Sequence, residues 1–165
     1  MTPPATIDER PDSLGRGTEA EPRLVIESWL AVPDEAAGWR CLLLRRTAAG
    51  GGFWQGVSCR VEAFDASLRA AALREIAEET GIASGVEIVD LGRYVEFRGL
   101  ISKAWFRKRC LGAVLPTGTR PETVRLSDEH DAVELLTFEA ARARLRFPEN
   151  VRELDQWAGM LAARR

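Results

Sequence analysis

Cysteine is scarce in this sequence, and its distribution argues against two kinds of stabilising site. The three cysteines, Cys41, Cys59 and Cys110, are odd in number, and none belongs to a CxxC pair. We therefore expect neither a disulfide framework nor a zinc site. Three reduced thiols are typical of a cytoplasmic protein, and we predict that location.

Long apolar runs and an excess of charge of one sign are also missing. No apolar stretch approaches the roughly 18 residues that a membrane-spanning helix needs. The first residues do not combine a basic start with an apolar stretch, as a signal peptide does. Lys and Arg total 23 against 25 Asp and Glu, a net charge of −2. This balance favours neither a nucleic-acid polymer nor a membrane as the partner.

The 165 residues that are present suffice for one domain with a core. Residues 1–21 are rich in Pro, Gly and acidic residues and poor in large apolar side chains. Such a segment buries too little to offset its ordering entropy. We therefore predict a flexible tail over residues 1–21 and one domain over residues 22–165.

Apolar periodicity within the domain predicts strands in two clusters around one central helix. The predicted strands cover residues 24–32, 39–46, 53–64, 86–97, 101–115 and 131–138. A helix is predicted over residues 67–80, and two more, split by Pro148, over residues 138–147 and 150–164. This arrangement indicates an α/β or α+β fold.

The predicted helix over residues 67–80 carries clustered glutamates. Glu75, Glu78 and Glu79 are three and four residues apart, so they share one helical face within an arc of roughly 100°. Like charges at these spacings repel each other. A divalent cation over the face would relieve that repulsion, and Mg²⁺ prefers carboxylate oxygens. Arg74 can reach Glu78 and orient it. The alternative is a solvated acidic face on a surface helix.

The other side of this helix is expected to pack against a sheet. Ala72, Leu73 and Ile76 are its apolar candidates for that contact.

The segment REIAEETGI, residues 74–82, resembles the second half of the Nudix signature at every specified position. The flanking segments that are also similar are 53–58, 61–62, 71–72, 126–130, 134–136 and 147–150. They resemble the branch of dATP and dihydroneopterin-triphosphate pyrophosphohydrolases. The resemblance covers about residues 23–160. It implies an α/β/α sandwich with a central mixed sheet, and hydrolysis of a nucleoside diphosphate linked to another group with Mg²⁺ or Mn²⁺.

The first half of the signature departs from the family pattern. Its glycine falls on Arg60 and its glutamate on Ala66, while two neighbouring glycines fall on Cys59 and Asp65. The family uses the backbone carbonyl at the Arg60 position as a metal ligand, and a carbonyl survives any side chain. A positive φ there would cost arginine about 1 kcal/mol or more. The alanine removes one acidic group that supports the metal.

The resemblance also implies roles for the intact residues. Glu78 and Glu79 match the principal metal ligands, and Glu75 matches a further ligand or a partner in water activation. Glu129, in the loop before the last strand, is a candidate outlying ligand or general base. Its alternative is a solvated loop residue.

Three further residues are candidates for substrate binding. His130 could stack on a base or act as an acid–base group, or be a bystander. Trp54, with Phe53, could shape the pocket or belong to the core. Arg60 could contact a phosphate. Along the strand at 101–115, Trp105 and the basic residues 107–109 could face a triphosphate or alternate between core and solvent.

Two functions follow as hypotheses. The first is a metal-dependent pyrophosphohydrolase that acts on a small-molecule nucleotide or a similar compound. The second is a catalytically weak Nudix-like domain that binds a nucleotide or protein partner as a sensor. The departures at residues 59, 60, 65 and 66 favour the sensor, and the intact glutamate helix favours the enzyme. Both a monomer and a homodimer are compatible with the sequence.

Overall fold

The computed structural model describes residues 6–164, and a seven-stranded mixed sheet forms its centre. The strands are β1 (Arg23–Asp34), β2 (Gly38–Arg46), β3 (Trp54–Gln55), β4 (Val57–Arg60), β5 (Glu87–Arg98), β6 (Trp105–Val114) and β7 (His130–Leu136). They are ordered β3-β2-β1-β6-β5, with β4 paired to β1 and β7 paired to β2. The β1–β6 pair is parallel, and the other pairs are antiparallel.

Helices cover both faces of the sheet, which explains the nearly continuous apolar sequence of β1. They are α1 (Leu68–Thr80), α2 (Phe138–Arg144) and α3 (Pro148–Ala162). Ile26 and Leu30 belong to one core with α1, while Trp29 belongs to the other core with Trp157 of α3. The predicted fold class, an α/β/α sandwich with a central mixed sheet, is confirmed.

Helix α1 begins and ends as its sequence predicts. The Ser67 hydroxyl accepts a hydrogen bond from the Ala70 N–H at 3.1 Å, and Gly81 closes the helix with a φ of 78°. Ile76 is fully buried against the sheet, but Leu73 is 38% exposed. The expectation that Leu73 packs against the sheet is therefore wrong. Leu73 is displaced around the helix axis from Ile76, and the sheet contacts the side of α1 that faces away from Leu73.

Residues 6–21 contact the domain, unlike the flexible tail that composition predicts for residues 1–21. The Ile7 side chain is 3% exposed and packs in the core beside α1. Its carbonyl accepts a hydrogen bond from the Arg69 N–H at 2.9 Å. The Gly17 carbonyl similarly accepts from the Trp105 N–H at 2.8 Å. The buried Ile7 side chain and these two backbone hydrogen bonds thus hold a segment of low apolar content against the domain. Residues 1–5 lie outside the described part.

Over residues 6–164, none of the helices is both long enough and apolar enough to cross a membrane.

Candidate functional site

A cavity of about 980 Å³ lies on the face of the sheet that α3 covers. Residues of β1, β4, β5 and β6 form its floor, and the first turn of α3 forms part of its wall. Five charged side chains line it beside β4, α1 and the loops around them. These are Arg46, Arg60, Glu62, Glu75 and Glu129.

The guanidinium of Arg74 organises the acidic face of α1. Its Nε and Nη2 atoms each donate to the Asp65 carboxylate at 2.8 Å. Its Nη1 donates to Glu75 at 2.7 Å and, more weakly, to Glu78 at 3.5 Å. Its Nη2 also lies 3.5 Å from the Arg60 carbonyl oxygen. One cation therefore gathers oxygen atoms from three of the four residues predicted to hold the metal, namely Arg60, Glu75 and Glu78.

The local electrostatics favour the ionised forms of Asp65 and Arg74. The hydrogen bonds from Arg74 lower the pKa of Asp65, although partial burial opposes the shift. The same contact with Asp65 raises the pKa of Arg74. Burial raises the pKa of Glu75, and Arg74 offsets only part of that effect. Asp65 thus serves as the anion that fixes the guanidinium, a role that the sequence analysis did not assign.

Glu79 lies apart from this group, although it shares the helix. It is 5% exposed, and its Oε2 accepts hydrogen bonds from His130 Nδ1 at 2.7 Å and Ser127 Oγ at 2.5 Å. Burial raises the pKa of Glu79, but these hydrogen bonds and the neighbouring positive charges together lower it by more, so the net pKa lies below its ordinary value. Glu79 is therefore held as a carboxylate beneath the loop that precedes β7.

His130 connects Glu79 to the cavity through one more residue. Its Nε2 lies 3.1 Å from the Gln55 amide nitrogen, and Gln55 lines the cavity. The two bonds fit a ring that donates from Nδ1 to Glu79 and accepts at Nε2 from Gln55. The His130 side chain is only 2% exposed. It offers no open face for stacking, and its contacts are those of a positioning residue.

Arg60, a predicted substrate residue, and Glu129, a predicted outlying ligand or general base, line the cavity, but Trp54 does not. The Glu129 carboxylate lies 3.6 Å from Arg46. Trp54 packs on the second core, with the Arg45 and Arg144 guanidiniums 5.7 and 5.6 Å from its ring. Strand alternation explains the difference, because the neighbouring Phe53 and Gln55 line the cavity instead.

The donor atoms fit a divalent cation in kind. Within residues 6–164 no group of three or more His, Cys, Asp or Glu side chains is arranged to hold a metal. The carboxylates of Glu75 and Glu78 and the Arg60 carbonyl nevertheless converge on the Arg74 guanidinium, which stands in for a cation. Oxygen donors of this type suit Mg²⁺. Glu79, the remaining predicted ligand, lies outside this group, and Ser127 and His130 bind its Oε2.

The family model described as NUDIX domain matches residues 28–158. The chain belongs to the NUDIX family. The predicted family and the predicted class of enzyme, a Nudix hydrolase, are thereby confirmed. Members of this family generally use divalent metals and act on nucleoside diphosphate derivatives.

Solved structures of other NUDIX proteins share this fold. A C. elegans Ap4A hydrolase binary complex is 18% identical, with a TM-score of 0.71 over 84% of this chain and 97% of that one. The E. coli dihydroneopterin triphosphate pyrophosphohydrolase is 23% identical, with a TM-score of 0.67 over 87% and 95%. The NUDIX domain of Shewanella oneidensis NrtR, complexed with ADP ribose, is 17% identical, with a TM-score of 0.67 over 84% and 87%.

One curated relative is more similar in sequence but much longer. An octanoyltransferase from Myxococcus xanthus is 34% identical over 140 residues, 78% of this chain. The chain spans about a third of that relative, 35% of its length.

The departures from the NUDIX signature have specific structural consequences. Arg60 is the last residue of β4, and in the described part of the chain Lys103 alone among non-glycine residues has a positive φ. Arg60 therefore does not carry the cost that a positive φ would have imposed on it. Ala66 is exposed, whereas Asp65 directly before it is buried and binds Arg74. An acidic group thus stands one residue away from the position that lost its glutamate.

Proposed function

We propose that this NUDIX domain hydrolyses a diphosphate linkage in a nucleoside triphosphate or a related nucleoside diphosphate derivative, with Mg²⁺ or Mn²⁺. The observation that carries the proposal is the group around Arg74. It brings Glu75, Glu78 and the Arg60 carbonyl together beside a cavity of about 980 Å³. Cavities of roughly 300–1,000 Å³ hold small ligands of nucleotide size.

Glu75, Glu78 and the Arg60 carbonyl would hold the cation on the cavity side, with Glu79 as the further ligand that the signature assigns. When bound, a divalent cation neutralises charge on the diphosphate and lowers the pKa of water. Arg74 keeps Glu75 and Glu78 oriented, because Asp65 fixes its guanidinium through two hydrogen bonds.

The remaining charged groups of the cavity have complementary roles. Arg60 and Arg46 supply positive charge for the phosphate oxygens of the substrate. Glu129 is 55% exposed on the cavity loop, so it can accept the proton of an attacking water. Trp54 takes no part in substrate binding in this proposal, and His130 acts by positioning Glu79.

The proposal is tested by measuring pyrophosphate and phosphate release from a broad nucleotide panel with Mg²⁺ and with Mn²⁺. Glu78→Gln should lower kcat/KM by about 100-fold or more, since a ligand charge is lost. Glu139→Gln is the matched control, because Glu139 is an exposed glutamate of α2 that does not line the cavity. If no compound in the panel is turned over, or the two variants behave alike, the hydrolase assignment is wrong.

A second candidate function is nucleotide binding without appreciable turnover. It is favoured by the absence of a three-ligand group within residues 6–164 and by the hydrogen bonds that hold Glu79. The NUDIX domain of NrtR, which has a similar fold, forms a complex with ADP ribose, so ADP ribose is a suitable ligand with which to test this function. Calorimetry with ADP ribose, combined with the panel, separates the two: binding without product release supports the sensor.

We also propose a cytoplasmic location. Cys41 and Cys110 are buried, and Cys59 is half-buried. Burial raises the pKa of each thiol, which keeps it protonated and unreactive. Reduced thiols of this kind are typical of the cytoplasm. The test is fractionation of the cells that produce the protein.

A further inference from the structure

A buried charged cluster forms part of the cavity floor, away from the acidic face of α1. The Lys108 ammonium lies 2.7 Å from Glu27 Oε2, 2.8 Å from Glu153 Oε1 and 3.1 Å from Asn150 Oδ1. Trp29 Nε1 donates to the second oxygen of Glu153 at 2.9 Å. All three partners of the ammonium are at least nine-tenths buried. Lys108 therefore donates hydrogen bonds to Glu27 and Asn150 and forms an ion pair with Glu153.

Two carboxylate oxygens of this cluster, Glu27 Oε1 and Glu153 Oε1, accept no hydrogen bond from any described residue. The Lys108 ammonium lies 2.8 Å from Glu153 Oε1, whereas its contact with Glu27 is to Oε2. Glu27 is 4% exposed. A buried carboxylate oxygen without a donor is costly, because its lost hydration is not replaced. Replacing the cluster by apolar residues would avoid that penalty, so the uncompensated Oε1 of Glu27 indicates a ligand that supplies the donor.

The position of Glu27 shows which ligand can reach it. Glu27, Lys108 and Asn150 line the cavity, whereas Glu153 does not. The aromatic rings of Phe97 and Phe106, stacked with centroids 5.4 Å apart, also line it. Aromatic walls beside a hydrogen-bonding floor suit a flat heterocycle.

We propose that Glu27 is the specificity-determining residue for a base with a guanine-type edge, bound in this part of the cavity. The inference rests on the proposed nucleotide hydrolysis and adds the class of base to it. An ionised carboxylate only accepts hydrogen bonds. Guanine presents a ring N–H and an exocyclic amino group side by side, so its donor edge matches the acceptor-only carboxylate of Glu27.

Asn150 completes the match. Its amide oxygen is bound to Lys108, so its amide nitrogen is the group left to donate to the guanine oxygen. Adenine places a ring acceptor beside its amino group, and that acceptor would face the Glu27 carboxylate. Hypoxanthine keeps the ring N–H but lacks the amino group. The cluster therefore ranks guanine above hypoxanthine and adenine.

The experiment compares GTP with ITP by kcat/KM, and GMP with IMP by calorimetry without added metal. Wild type, Glu27→Gln and Glu153→Gln are measured in parallel. Each substitution removes one negative charge that contacts the Lys108 ammonium, but only Glu27 lines the cavity. We expect wild type to prefer the guanine compounds by about tenfold or more, and Glu27→Gln to lose most of that preference. Glu153→Gln should keep it.

The outcomes separate this inference from the proposed function. Turnover without a preference for GTP over ITP overturns the role of Glu27 and leaves the hydrolase. Tighter binding of GMP than IMP, lost in Glu27→Gln but with no turnover, supports the base site and refutes the hydrolase. If both variants lose the preference equally, the cluster is only structural. If Glu27→Gln does not fold, the wild-type comparison of GMP with IMP alone decides.

Discussion

The contact between Asp65 and Arg74 should be the main stabilising feature of the candidate site. Asp65 is 5% exposed, and both of its oxygens accept from Arg74 at 2.8 Å. Its Oδ2 also accepts from the Glu62 N–H at 2.8 Å. Asp65→Asn keeps the shape but removes the charge and replaces one acceptor with a donor. Arg74 is 21% exposed at its side chain, so water recovers part of the loss.

The magnitude follows from the two charge-assisted hydrogen bonds. Each contributes about 1.5–3 kcal/mol, and removing one partner of a fully buried pair costs about 3–5 kcal/mol. Because Arg74 is partly solvated, we expect Asp65→Asn to lower the free energy of unfolding by about 2 kcal/mol. Without Asp65 the guanidinium should no longer hold Glu75 and Glu78 in place. We therefore expect kcat, and with it kcat/KM, to fall while the KM for substrate changes little.

The assay is urea denaturation of wild type, Asp65→Asn and the control Asp8→Asn. Asp8 forms an ion pair with Arg69, but its side chain is 64% exposed, so its removal should change stability much less. The reasoning is refuted if the two variants are equally stable. It is also refuted if Asp65→Asn leaves kcat/KM unchanged while a substitution elsewhere in the site, such as Glu78→Gln, lowers it.

The same contact predicts a pH dependence. Arg74 lowers the pKa of Asp65 in the folded protein below its ordinary value of 3.8. The stabilisation is therefore complete above the unfolded pKa and is lost as the pH falls through the lower folded pKa. The difference in unfolding free energy between wild type and Asp65→Asn should thus shrink below about pH 4. A difference that grows on acidification would contradict the assignment.

Three further predictions concern individual side chains. Ile7→Ala should lower the free energy of unfolding by about 2 kcal/mol in urea denaturation, because the buried Ile7 side chain belongs to the core beside α1. An unchanged denaturation midpoint would show that residues 6–21 do not stabilise the domain. Glu79→Gln should weaken Mn²⁺ binding about tenfold or more by calorimetry, and equal affinity would remove Glu79 from the site. Trp54→Leu should lower the melting temperature but leave KM unchanged, whereas a raised KM would restore the predicted substrate role.

Features that depend on near neighbours in the chain were predictable from the sequence. Helix α1 and its ends follow from good helix formers, a serine cap and a terminal glycine. The strands follow from apolar runs, because a sheet covered on both faces needs them. The contact of Arg74 with Glu78, four residues further on, follows from helical spacing.

Features that depend on distant parts of the chain were not predictable in this way. Composition does not reveal that Ile7 meets α1, since two or three anchors suffice for a short segment. Periodicity gives the spacing of an apolar face but not the side that meets the sheet, which explains Leu73. His130 binds Glu79 across 51 residues and Gln55 across 75, and no local pattern connects them.

The broken half of the signature is better described as altered than as lost. The missing glutamate at Ala66 would have supplied a negative charge just before the N-terminus of α1. Asp65 supplies one from the adjacent position and binds Arg74 with both oxygens. Arg60 keeps its carbonyl close to the same guanidinium without a positive φ, and its side chain adds a positive charge to the cavity. These two substitutions therefore redistribute charge around the acidic face instead of removing its support, and this favours the hydrolase over the sensor.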